Sequence, residues 1–262
     1  MAPKIYVGTS GYSFDDWVGP YYPSDLGKGD WLAFYAQEFD AVELNVTFYR
    51  QPNRWMLARI AEKVPNDFRF TLKLYRGFTH ERDPQQLPAL AAEFTAALTP
   101  LIEAGKFGCL LAQFPYSFRR TPDSEAYLRQ LREVLPDLPV AVEFRRREWA
   151  REEVFDLLRE LGFAFCAVDM PRFPQLMPPV TAVTADFGYV RFHGRNRKKW
   201  WRHAEAWERY DYRYTEEELR EWVPRIRAMH ERAPTLYVFA NNHWQGQSVE
   251  TARLLKRLLA EG

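Results

Sequence analysis

Cysteine is scarce: Cys109 and Cys166 are the two in the chain, and each lies inside an apolar run. With no CxxC pair and no Cys/His cluster, a disulfide scaffold and a structural zinc site are excluded, and two buried reduced thiols are expected. An excess of charge of one sign is also missing. Lys plus Arg number 36 against 35 Asp plus Glu, so net charge makes no case for a whole-protein nucleic-acid or acidic-lipid footprint. No uninterrupted apolar run reaches the ~20 residues of a membrane span. Met1–Gly8 enters a strand without the apolar stretch of a signal peptide, so a soluble, cytoplasmic protein with no membrane partner is expected. Glycine-rich phosphate loops are lacking too. Gly8-Thr9-Ser10-Gly11 bounds a turn, but its two glycines make neither a dinucleotide fingerprint nor a P-loop.

Aromatic residues, in contrast, are plentiful: 16% of the chain, including nine Trp. They fill cores, and in excess they also suit stacking on sugars or bases. The most telling stretch is Ala41–Asn45, AVELN. Alternation sets Ala41, Glu43 and Asn45 on one side of a strand and Val42 and Leu44 on the other. Ala141–Arg145, AVEFR, repeats the pattern with Glu143 and Arg145. In an antiparallel sheet that polar side faces water. In a parallel barrel it points inward, and its last residues face the mouth.

Strand and helix patterns then alternate along the chain. Ile5–Gly8 is the first strand, and an aromatic loop leads to a stripe of Trp31, Tyr35 and Phe39. After the second strand a helix follows Pro52 to about Val64, and Phe68–Lys73 alternates with Lys73 on the polar side. Tyr75–Arg82 reads as a loop, and Leu87–Ile102 as a helix. Phe107–Phe114 is a fourth strand with Gln113 near its end, and Thr121-Pro122 starts a helix. Pro139–Phe144 and Phe163–Val168 are the fifth and sixth strands, the sixth ending at Asp169. The Pro-rich loop PRFPQLMPP that follows leaves no room for a regular helix before Val180. Gly188–His193 is the seventh strand, with Arg191 and His193 on one side. Thr215 and Glu218 make a capping-box pair for a helix running toward His230, with Pro224 a possible kink. Leu236–Asn241 is the eighth strand, and a final helix closes the chain. About eight strand–helix units over the whole length, residues 1–262, predict a single-domain closed (β/α)₈ TIM-type barrel of α/β class. An open doubly wound sheet is the alternative.

Under the barrel rule the strand ends supply Thr9 or Ser10, Glu43 and Asn45, Lys73, Gln113, Glu143 and Arg145, Asp169, Arg191 and His193, and Asn241 or Asn242. One such residue means little. Together they require pairing or a ligand, because each buried unpaired ion costs several kcal/mol. These same segments carry a family resemblance: GTSGY at Gly8–Tyr12, Val42-Glu43-Leu44-Asn45 with Thr47-Phe48-Tyr49, Phe68-Arg69-Phe70 with Lys73, and Thr79-His80. Gln113-Phe114-Pro115, Val142-Glu143-Phe144-Arg145, Asp169, Arg191–Arg195, and Tyr237-Val238-Phe239 with Asn241-Asn242 continue it. The chain resembles the YecE-like family, domain of unknown function 72, over essentially its full length. The resemblance implies a TIM-type barrel and no particular reaction. Phe114 stands where the family's Gln-Leu-Pro motif has Leu, a conservative change.

Three function classes follow. The first is an enzyme acting on a small polar anionic ligand, a sugar or sugar phosphate, at the C-terminal mouth. Glu43 and Glu143 would be an acid/base pair, with Lys73 as oxyanion partner, base or Schiff-base nucleophile and Asp169 and His193 beside them. Arg145, Arg191 and Arg195 suit a carboxylate or phosphate, while Tyr12, Tyr49 and Trp200-Trp201 offer stacking faces. Thr9, Ser10, Asn45, Gln113, Asn241 and Asn242 complete the binding set. A metal-dependent version would hold Mn²⁺ or Mg²⁺ on Glu143, Asp169 and His193, although Arg145 and Arg191 would repel a cation. Glycoside hydrolysis would need Glu43 and Glu143 at a set separation. The second class is nucleic-acid binding through Arg195–His203, where six basic-type residues surround two Trp; a solvated loop with Trp packed against the barrel is the plainer reading. The third is a non-catalytic metabolite-binding protein using the same pocket. His80, His203, His230 and His243 are expected at the surface.

Overall fold

Short runs rich in Val, Phe, Tyr and Leu pair side by side as parallel strands. They are β1 (Lys4–Ser10), β2 (Ala41–Leu44), β3 (Arg69–Lys73), β4 (Phe107–Gln113), β5 (Val140–Glu143), β6 (Phe163–Asp169), β7 (Phe187–Phe192) and β8 (Thr235–Ala240). Each strand pairs with its sequence neighbour, and β1 closes the ring on β8 with Lys4 opposite Thr235 and Thr9 opposite Ala240. The computed structural model describes residues 4–261. The outer layer comprises α1 (Trp31–Tyr35), α2 (Val46–Tyr49), α3 (Arg54–Ala61), α4 (Leu87–Glu103), α5 (Pro122–Val134), α6 (Glu152–Glu160), α7 (Glu216–Arg220), α8 (Val223–Arg232) and α9 (Gln247–Ala260). Among the described residues no helix is long and apolar enough to cross a membrane.

The closed barrel agrees with the alternation of patterns; the open sheet does not form. The β6–β7 connection carries no α-helix, as its prolines require. Three local expectations change. β1 continues through Ser10 instead of turning at Gly8. A Cβ on Gly8 would lie 1.9 Å from the Ala41 carbonyl oxygen, so this glycine permits close strand packing, and the turn falls at Gly11, where φ is +92°. The helix begun by Thr215 stops at Arg220, and α8 restarts with Pro224 in its first turn, where a missing N–H costs nothing. Tyr75–Arg82 is not wholly loop: Gly77–Glu81 forms a wide helical turn.

The barrel interior is filled in layers. Tyr6 stacks on Tyr237 at 5.4 Å between ring centroids, and Tyr189 OH lies 2.9 Å from Thr71 Oγ1. Directly above this aromatic layer the inward positions become charged. Cys109 and Cys166 are free and buried, as expected; Cys166 faces inward, 3.9 Å from Glu143 Oε2.

Candidate active site

Residues two apart on a strand share a face, so Glu43 and Arg191 come from inward positions two steps above the Ala41 and Tyr189 levels. Both Glu43 and Glu143 are fully buried, and one guanidinium joins them. Arg191 donates from Nη2 to Glu43 Oε1 and from Nη1 to Glu143 Oε2, each at 2.6 Å. Tyr189 OH donates to Glu43 Oε2 at 2.7 Å. On the other side, Arg145 Nε and His193 Nε2 lie 2.9 and 3.3 Å from Glu143 Oε1. His193 Nδ1 is 2.9 Å from Asn241 Nδ2. Burial alone would raise the Glu143 pKa, but Arg145, Arg191 and His193 outweigh it and hold the carboxyl well below the usual range. Burial, reinforced by Arg145, pushes the His193 imidazole down to about 3, so it sits neutral.

Above this network opens a cavity of about 190 Å³, lined by Ser10, Asn45, Lys73, Gln113, Arg145, Arg191 and Asn241 together with Phe14, Phe48, Tyr49, Tyr210 and His243. Lys73 is half-buried, with its Nζ 4.1 Å from the Phe48 ring centroid, and no carboxylate among the described residues lies within ion-pair distance. Desolvation and then Arg191 lower its pKa to about 7, against the opposing pull of Glu143 and Glu43. Lys73 therefore shares its population between amine and ammonium at neutral pH. A second cavity of about 200 Å³ adjoins the first through shared Gln113, Arg145 and Tyr210, and adds His80, Trp200 and Trp201.

Of the residues expected at the mouth, the structure gathers Ser10, Asn45, Tyr49, Lys73, Gln113, Arg145, Arg191 and Asn241 around one cavity. Glu43, Glu143 and His193 lie beneath that lining, fully buried. Asp169 does not join them. Cys166 faces Glu143 inside the barrel, so Asp169, three positions on, faces outward into the helices. There it accepts from Arg195 Nε and Nη2 at 2.8 and 2.7 Å, from Trp222 Nε1 at 2.5 Å and from Tyr214 OH at 3.1 Å. Arg195, committed to Asp169, Glu218 and Glu221, also leaves the mouth. Thr9 faces outward to Tyr35, Asn242 bonds Thr251 and the Tyr212 carbonyl, and Tyr12 lines a neighbouring, mostly apolar recess. The set suggested for Mn²⁺ or Mg²⁺ is thereby divided: Glu143 and His193 meet, Asp169 is elsewhere, and Glu143 carries two arginines. No group of three or more His, Cys, Asp or Glu among the described residues is placed to hold a metal.

A sequence model of the family described as "Protein of unknown function DUF72" matches residues 6–262. The chain belongs to the DUF72 family. This DUF72 protein is 40% identical to a DUF72 protein of Thermotoga maritima MSB8, with a TM-score of 0.89 over 98% of this chain and 99% of the other. It is 29% identical to the UPF0759 protein YunF of Bacillus subtilis (strain 168), across 97% of this chain and 94% of YunF. A D-allulose 3-epimerase from Methylomonas sp. shares the barrel, with a TM-score of 0.56 at 14% identity over 99% of this chain and all of that one, which is a likeness of fold alone.

Sequence reading missed Phe14, Phe48, Tyr210 and His243, all on the cavity wall. They come from loops or short turns, which carry no period to mark their direction. Two histidines expected at the surface also line cavities. His80 reaches the second cavity, its pKa lowered by burial and Lys73 to about 4, and His243 stacks on Phe14 at 4.7 Å. In the Arg195–His203 loop, Arg197 covers the Phe173 ring, Lys199 pairs with Glu208 at 2.5 Å, and Trp200 is buried. Arg197, Lys198, Lys199, Trp201 and Arg202 are exposed, and Trp200 packs against the barrel.

The buried network fixes the sign of the acid response. Between pH 6.5 and about 3 an unfolded His193 binds a proton that the folded one refuses, and folded Glu143 refuses one below the ordinary carboxyl range. The unfolded state binds more protons, so stability falls as pH falls. Urea midpoints should decline from pH 7 to pH 5, and His193→Gln should reduce that slope, His80 and His243 keeping the rest. An unchanged slope in the variant would remove His193 from the account.

Proposed function

We propose that this chain binds a small hydroxyl-bearing anion, of the sugar-phosphate class, in the cavity above Arg191, and that Lys73 transfers a proton to or from it. The observation that carries this is the division of charge by depth. Lys73, Arg145 and Arg191 line the cavity beside Ser10, Asn45, Gln113 and Asn241, while Glu43 and Glu143 are sealed below. Apart from the ion pair of its Nε with Glu143, the Arg145 guanidinium makes no hydrogen bond among the described residues, which leaves donors for an oxyanion. The volume of about 190 Å³ accommodates one sugar-sized group.

Glu43 and Glu143 are then positioning residues for Arg191 and Arg145. Glu143, held ionised, is not a general acid at neutral pH. Lys73, brought to about 7, supplies either protonation state and suits proton transfer. Its amine could take a proton from a ligand carbon or hydroxyl, with the developing oxyanion held by Arg145. Arg195, Arg197 and Lys199 of the basic loop are engaged within the chain, which weakens the nucleic-acid reading.

Calorimetric titration tests this with ribose 5-phosphate and with inorganic sulfate, whose charge stays constant across the pH range used. An anion beside Lys73 raises the lysine pKa, so binding near pH 8 should take up a proton. Sulfate affinity should fall at least tenfold from pH 6.5 to 8.5, following the loss of the ammonium. Lys73→Met should abolish both effects. Binding without pH dependence would remove Lys73, and binding of neither probe would overturn the site.

A further inference from the structure

A third hollow, about 450 Å³, opens beside the polar cavity, walled by Leu44, Val46, Met56 and Ile60. It shares Phe14, Asn45 and Tyr49 with the cavity above Arg191. The two are therefore neighbouring compartments of one cleft, with Phe14 and Tyr49 at the partition. On the Phe14 side the partition is held by packing. Gly11 has φ +92°, and a Cβ there would sit 2.7 Å from the Phe14 ring edge, so glycine is what lets that ring come so close to the turn. Phe14 is also stacked on His243 at 6° between planes and lies 4.9 Å from Trp17.

The recess surface is mostly apolar, although Ser13 and Arg50 also line it, and its rim is open: Tyr49 is 73% and Val46 39% exposed. Large apolar side chains gathered around a hollow next to a charged pocket form a binding surface more often than an idle one. Water in the recess would meet few polar partners; a ring would meet Tyr12, Phe14 and Tyr49. We propose that the recess is a subsite for a planar aromatic group carried by the same anionic ligand. Its charged end would lie over Lys73, Arg145 and Arg191, its ring between Phe14 and Met56, and Asn45 would face the junction. This rests on the reading that the polar cavity takes an anion. A ring is favoured over an aliphatic chain because two of the three shared wall residues, Phe14 and Tyr49, are aromatic, and rings prefer offset or edge contacts with another ring. The second polar cavity is the weaker candidate, since Arg145 and Arg209 line it.

The test compares inorganic sulfate, butyl sulfate and phenyl sulfate on the full-length protein, by calorimetry and by methyl NMR of Met56 and Ile60. Phenyl sulfate should bind about tenfold or more tightly than sulfate, with butyl sulfate gaining less, and should shift the Met56 and Ile60 methyls where sulfate does not. Val46→Asn with Met56→Gln lies outside the charged cavity and should bring phenyl sulfate to the level of sulfate without changing sulfate itself. Should sulfate bind but phenyl sulfate bind no better, or bind better with both methyls unmoved, the subsite is overturned and the anion site stands. Equal gain from butyl and phenyl sulfate would overturn the assignment to a ring. Failure of all three to bind would overturn the anion reading and the subsite with it.

Discussion

Arg191→Met is expected to lower the free energy of unfolding by about 3–5 kcal/mol, because it leaves two carboxylates with no guanidinium between them. Glu43 and Glu143 are fully buried, and each receives a 2.6 Å bond from Arg191. Tyr189 OH would still reach Glu43, and Arg145 would still lie beside Glu143, so the loss stops short of two bare charges. Arg191→Lys should recover only part of it, since one ammonium on a flexible stem cannot match the planar fork that spans both carboxylates. The telling variant is the triple Arg191→Met, Glu43→Gln, Glu143→Gln. With both carboxylates neutral, part of the lost stability should return; Arg145, which loses its Glu143 partner but faces the cavity, keeps the recovery incomplete. Urea unfolding of the single, double and triple variants gives the cycle. A single-variant loss below about 1 kcal/mol would mean that water reaches these carboxylates and that the charges are not divided by depth.

The barrel was legible because its signal is local and repeated. Each strand has its own alternation, and each crossover but the Pro-rich one has its own apolar stripe. The inward or outward sense of a strand-end residue was legible in part. Glu43, Lys73, Glu143 and Arg191 sit on clearly polar sides of alternating strands, and their parity was read correctly. In β6 both sides are apolar until the last residue, so parity offered no contrast, and Asp169 was set with the mouth when it faces the helices. Thr9 beside Ser10 and Asn242 beside Asn241 show the same limit: adjacent polar residues have opposite directions, and one of each pair must turn away. What no local pattern carries is pairing across the barrel. Arg191 and Glu43 are 148 positions apart, and only closure of the ring sets one guanidinium between two carboxylates. A row of polar strand ends therefore predicts a charged mouth without telling which charges face the ligand and which hold the others in place.

Asp169 offers the sharpest separation of those two roles. Asp169→Ala is expected to cost about 3 kcal/mol, since it strips the buried Trp222 Nε1 and Tyr214 OH of their acceptor, and each unmade buried bond carries a penalty of about 1–3 kcal/mol. Arg195 limits the damage, because it keeps Glu218 and Glu221. Asp169→Asn retains one oxygen acceptor but turns a donor toward Arg195 or Trp222, so it should fall between Asp169→Ala and the parent. Both variants weaken the hold on the segment after β7 and on α8, yet neither touches the cavity above Arg191. Sulfate and ribose 5-phosphate should accordingly bind the folded variants within about twofold of the parent, while the urea midpoint drops. The converse result, binding lost from an Asp169→Asn protein of parental stability, would return Asp169 to the ligand site and require β6 to present its carboxylate inward. Because Cys166 already occupies the inward position beside Glu143, that would need a one-residue register shift in β6, which would turn Phe165 and Ala167 into the barrel as well.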